Sequence, residues 1–182
     1  VAGMLYLVME FIDGNVLHRS INGRKVEPVQ AAEIVEGVAR GLGEAHQHGL
    51  LHRDIRPASI LITRKLKPVL GDFGLTGRVD DMGPGMKMGT PGYVAPETLH
   101  DFASATPASD VYSLGMILHE LVTGIAPAPE TAADLSLLPD LRGLPQLAGR
   151  ALAPDPAQRP ADGKAFASEL ETWLEAARQA GV

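Results

Sequence analysis

The chain has 182 residues, enough for one domain with a sizeable core; 45% are hydrophobic and only 4% aromatic, so that core is aliphatic. A net charge of −6 argues against a nucleic-acid surface, and the absence of cysteine excludes a disulfide framework or a thiolate metal site. The longest apolar stretch, Met4 to Ile12 interrupted by Glu10, is too short to span a bilayer and lacks the basic leader and cleavage site of a signal peptide, so a soluble, cytoplasmic protein with no membrane segment in these residues is expected.

In chain order, Met4 to Phe11 reads as a short buried strand, followed by a turn signal at Asp13-Gly14-Asn15. Pro28 marks the first turn of a long helix in which Val35, Val38, Leu42 and Ala45 recur at helical spacing, closed by Gly49. Ile60-Leu61-Ile62 and Val69-Leu70 predict two small strands around a Thr63-Arg64-Lys65 turn. Residues 75–94 have turn composition. A second helix is capped by Thr106, has Pro107 in its first position, and runs through Val111, Leu114, Leu118 and Leu121 to a stop at Gly124. Ile125 to Pro145 is rich in Pro, Ala and Leu with weak helical signals. A last helix, capped by Asp162, carries Phe166, Leu170, Trp173 and Leu174 on one face.

Three tripeptides punctuate this pattern in order: His52-Arg53-Asp54, Asp72-Phe73-Gly74 and Ala95-Pro96-Glu97. Each is weak alone; their order and spacing are specific. The segment His52 to Leu61 resembles the catalytic loop of Hanks-type Ser/Thr protein kinases of bacterial type, and the resemblance covers nearly the whole chain. It implies an α+β, mainly α, protein-kinase-like fold: residues 1–17 as the last small-lobe strand and hinge, and 18–182 as the large lobe. The catalytic loop spans 52–61 and the activation segment 72–97. A Gly-rich phosphate-covering loop, a strand lysine and its helix glutamate are not found in these residues, so a large lobe without its small lobe, inactive by itself, is expected.

By that resemblance the cofactors are ATP and Mg²⁺ and the partner is a protein bearing a Ser or Thr hydroxyl. Asp54 would orient the acceptor hydroxyl and take its proton, Arg56 would lie close to the transferred phosphate, and Thr90 would hydrogen-bond toward Asp54. Asp72 would hold the metal, because a hard cation wants oxygen ligands, with Ser59 as a second ligand. Met9, the backbone of Glu10 and Ile12, and the side chains of Leu17 and Leu61 would surround the base. The structural residues are His52, which orders the loop, Phe73, Gly74, Asp110, which accepts backbone hydrogen bonds, and the ion pair Glu97–Arg159. Arg53 would grip an activating phosphate, with Asp80 and Asp81 as permanent substitutes.

Two positions depart from the family pattern: Arg56 stands where Lys is usual, and Ser59 where Asn usually ligates the second Mg²⁺. Ser59 and the missing small lobe motivate a rival reading as a pseudokinase or binding scaffold. A small-molecule phosphotransferase is disfavoured by Ala95-Pro96-Glu97, Arg159 and Thr90. A metal site at His46, His48 and His52 is disfavoured because positions two apart on a helix do not share a face.

Overall fold

A computed structural model describes residues 9–72, 77–78, 89–99, 101–129 and 132–181. The first part of the expected strand from Met4, together with Phe73, Gly74, Asp80 and Asp81, lies outside these residues. Residues 9–13 are irregular rather than the end of a strand.

Three long helices form the frame. Pro28 opens α2 (Pro28–Gln47), where its missing N–H removes no helical hydrogen bond. In α3 (Pro107–Thr123) the Thr106 amide donates to the Ser109 hydroxyl at 3.0 Å in a capping box, and Gly124 ends the helix in the left-handed region. The Asp162 carboxylate accepts from the Ala165 amide at 2.8 Å and starts α5 (Gly163–Gln179). Every residue from Ala108 to Thr123 is buried, so α3 is the axis around which α2, α5 and α4 (Leu144–Ala151) pack.

A Cβ on Gly43 would sit 2.7 Å from the Lys164 amide nitrogen, and one on Gly163 would sit 2.6 Å from the Ala39 carbonyl oxygen. The two glycines therefore let the middle of α2 touch the start of α5, backbone against backbone. The main core gathers Val35, Leu42, Leu114, Leu118, Phe166 and Leu170 between these helices.

Two small sheets join these helices among the described residues. β1 (Gly14–Val16), β3 (Ile60–Thr63) and β4 (Pro68–Leu70) pair antiparallel in the order β1-β3-β4; β2 (Leu50–Leu51) pairs with β5 (Gly77–Arg78). Asp13-Gly14-Asn15, expected as a turn, instead enters β1. Gly14 serves close approach there: a Cβ would lie 2.4 Å from the Ile62 carbonyl oxygen. The short helix α1 (Leu17–Ile21) and α4 had no predicted counterpart; α4 hides its Leu144, Leu147, Ala148 and Ala151 stripe behind Pro145.

Candidate active site

The loop between β2 and β3 is held from below by one carboxylate. Asp110, buried on α3, accepts from the amides of His52 at 2.9 Å and Arg53 at 2.8 Å. Arg53 has φ +67, a left-handed conformation costing about 1–3 kcal/mol for a non-glycine residue. Two charge-assisted hydrogen bonds offset that cost and hold the bend. The His46 ring also reaches Asp110, Nε2 to Oδ2 at 3.0 Å, while its Nδ1 accepts from the Gly163 amide at 3.1 Å. These partners put the proton on Nε2. His46 thus ties α2, α3 and α5 to the loop, a role that no sequence motif marks.

His52 joins the two acidic segments. Its Nε2–H donates to the Gly71 carbonyl at 2.9 Å, and its Nδ1 faces the Asp54 amide at 3.4 Å. The Gly71 amide donates back to the Ser59 carbonyl at 2.8 Å. Asp72 is exposed, with φ +59. The Asp54 carboxylate receives the Thr90 hydroxyl on Oδ1 at 2.6 Å, and Arg56 Nε lies 3.4 Å from Oδ2 as an ionic contact. A hydroxyl and a guanidinium from two separate segments therefore converge on one half-buried carboxylate.

Other expected residues fall differently. The Ser59 hydroxyl, buried, accepts from the Arg56 amide at 3.0 Å and donates to the Arg56 carbonyl at 2.8 Å, so its short side chain is turned onto the backbone and not toward a metal. Leu17 is 1% exposed and sits inside the main core, which removes it from any base-contacting surface. Leu61 is half-buried, and a Cβ on Gly71 would meet its Cδ1 at 3.2 Å, which places Leu61 beside the Asp72 segment. Met9 is 65% exposed, Glu10 is exposed and Ile12 half-buried. The Arg53 guanidinium lies 5.6 Å from the centre of the Phe102 ring.

Away from this loop, Arg159 meets Glu97 in a forked pair, Nη1 to Oε1 at 2.8 Å and Nη2 to Oε2 at 2.9 Å. Arg159 also donates to the carbonyls of Ala153, Ala108 and Pro154, and its guanidinium stacks 4.9 Å over Tyr112. Burial pushes the Glu97 carboxyl up, but the hydrogen bonds from Arg159 and Ser109 outweigh it and hold the group below the usual carboxylate range.

Next to it, the Tyr93 hydroxyl donates to Glu120 at 2.6 Å. Burial, then the Glu120 carboxylate, pushes the Tyr93 phenol far up; burial also raises Glu120 despite the bond from Tyr93. Glu120, with His119 before it, breaks the apolar run of α3, a trace of this pair that is visible in the sequence.

The family model described as "Protein kinase domain" matches residues 2–178 of this chain. The chain is 34% identical over 191 residues to the serine/threonine-protein kinase PknL of Mycobacterium tuberculosis, covering 93% of this chain and 47% of that protein. It is 41% identical over 134 residues to the serine/threonine-protein kinase PkaA of Streptomyces coelicolor, covering 68% of this chain and 24% of that protein. It is likewise 41% identical over 128 residues to the serine/threonine-protein kinase PknA of Mycobacterium tuberculosis, covering 67% of this chain and 29% of that protein. The chain thus spans about half the length of the first of these relatives and less than a third of the other two.

Proposed function

The chain belongs to the protein kinase family, and from that premise we propose that it is the large lobe of a Ser/Thr protein kinase, with residues 1–17 forming the last small-lobe strand and hinge. The reaction is transfer of the ATP γ-phosphoryl group to a Ser or Thr hydroxyl of a protein. The bond from phosphorus to the acceptor oxygen forms as the bond to the β–γ bridging oxygen breaks. Such a transfer asks the protein for position and charge neutralisation rather than covalent chemistry.

The observation that supports this reading most is the environment of Asp54. Its carboxylate is held between the Thr90 hydroxyl at 2.6 Å and Arg56 at 3.4 Å, where it can orient an acceptor hydroxyl and receive its proton. Arg56 offers its guanidinium to the transferred phosphate. Thr90, on the activation segment, fixes the carboxylate and shapes the place of a Ser or Thr side chain. The hinge backbone of Glu10 and Ile12, with Met9 beside it, would meet the base, and Leu61 would lie under it.

The donor set fits a hard cation in part. Asp72 is an exposed acid directly after Gly71, whose carbonyl accepts from His52, whereas the Ser59 hydroxyl is engaged by Arg56. Mg²⁺, when bound, neutralises charge on the phosphate oxygens; Asp72 is the residue that would hold it. The groups that cover the phosphates from the other side, a Gly-rich loop and a lysine, are not among these 182 residues. Phosphotransfer by this half depends on them.

The test is transfer of labelled γ-phosphate to a protein acceptor by the longest natural polypeptide that contains this chain. Asp54→Asn is expected to lower the rate by about 10²–10⁴-fold with little change in KM for ATP. A rate that survives the substitution would contradict the reading.

A further inference from the structure

The β1–β3–β4 sheet has two faces. Leu61 lies on the face of the Asp72 segment, against Gly71. Its neighbour Ile62, by the alternation of a strand, points to the other face, where with Leu17 and Ile21 it floors a groove of about 420 Å³ that Leu66 also lines. The groove is built, not a gap between loose segments: the Val26 amide donates to the Leu121 carbonyl at 2.7 Å, and the Arg24 amide to the Ile21 carbonyl at 2.7 Å.

Its rim is cationic. Arg24, Lys25 and Arg64 line it, Lys65 and Lys67 follow on the same β3–β4 turn, and no acidic side chain lines it among the described residues. Asp13 holds Arg64, Nε to Oδ2 at 2.8 Å; Arg24 and Lys25 are exposed and in no ion pair among the described residues. In a chain of net charge −6 this is a local reversal of sign. Leu66 stands at the edge 73% exposed, with φ +59. Folding alone favours Gly or Asn at such a position, since a branched apolar side chain there has neither burial nor a relaxed backbone.

We propose that this groove docks an extended acidic segment of a partner protein, an aliphatic side chain of the segment resting on Leu66 and Ile62 and its carboxylates on Arg24 and Lys25. Charge complementarity selects an acidic occupant, and the apolar floor selects one that alternates acids with aliphatic residues. The concave shape suits a chain in place of a flat anionic surface. The groove lies on the opposite sheet face from Leu61, so docking there leaves the proposed nucleotide site open.

Fluorescence anisotropy with the whole chain and a labelled peptide alternating Asp or Glu with Leu tests this directly. The same peptide with Lys for its acids, and phosphatidylserine vesicles, serve as competitors. Saturable binding of the acidic peptide is expected, weakened about tenfold by Arg24→Glu combined with Lys25→Glu. Leu66→Asn, which suits the left-handed backbone and so keeps the fold by thermal unfolding, should weaken it severalfold. The proposal is overturned by no saturable binding, by an affinity that neither variant moves, or by loss on charge reversal without any effect of Leu66→Asn. Vesicles that displace the peptide more effectively than unlabelled peptide would equally overturn it, in favour of a membrane surface.

Discussion

Ser59 spends its hydroxyl on the Arg56 backbone, accepting from the amide and donating to the carbonyl, and so holds the Pro57–Ser59 turn shut. Ser59→Ala would leave the Arg56 amide without that partner. A loss of about 1–3 kcal/mol is expected in chemical denaturation, with the Mg²⁺ dependence of nucleotide binding unchanged. A shifted Mg²⁺ dependence would return Ser59 to the metal site. Glu97 acts through charge instead. Its carboxyl is depressed in the folded chain, so its stabilisation is present above the ordinary carboxylate range and is lost as pH falls through the lowered value. Glu97→Gln leaves the buried Arg159 guanidinium without its counter-charge and should cost about 3 kcal/mol at neutral pH. Thermal unfolding between pH 6 and 3 should show this gap narrowing with acidity; a constant gap would mean that the ion pair contributes nothing.

At the scale of elements, the contact of α2 with α5 rests on two glycines. Gly163→Ala places a methyl 2.6 Å from the Ala39 carbonyl oxygen, which is backbone and cannot turn aside. The expected cost is about 1–3 kcal/mol, read from urea unfolding, together with loss of the Gly163–His46 hydrogen bond. These elements differed in how legible they were. The three long helices announce themselves through Pro28, the Thr106–Pro107 start, Gly124 and Asp162, because caps and breakers act locally. β1 did not, since Gly14 serves interstrand approach and looks in sequence like any turn glycine. α4 did not, because eight residues opening on Leu144-Pro145 carry too little periodicity to stand out from the Pro-rich run before them.

For the molecule as a whole, the same division separates motif from contact. Asp54, Thr90, Glu97 and Arg159 were marked by short motifs and Asp110 by the family resemblance, and their contacts are long-range products of the fold: Glu97 and Arg159 come together from opposite sides of α3 in sequence. His46 carries no local signature and the Tyr93–Glu120 pair only the acid at position 120, because what distinguishes them is burial beside a partner far along the chain. Leu17 was misplaced for the same reason: an aliphatic residue in sequence does not say which side of a sheet it covers.

In the proposed site Asp72, next to the Gly71 carbonyl that His52 holds, is the residue that would carry the metal of the nucleotide. Calorimetry of Mg²⁺–ATP binding to the chain tests it most directly, with Asp72→Ala and Asp54→Asn in parallel. Metal-dependent binding that falls at least about tenfold in Asp72→Ala and persists in Asp54→Asn is the predicted result. Binding indifferent to Asp72, or no metal-dependent binding in the unsubstituted chain, would contradict it.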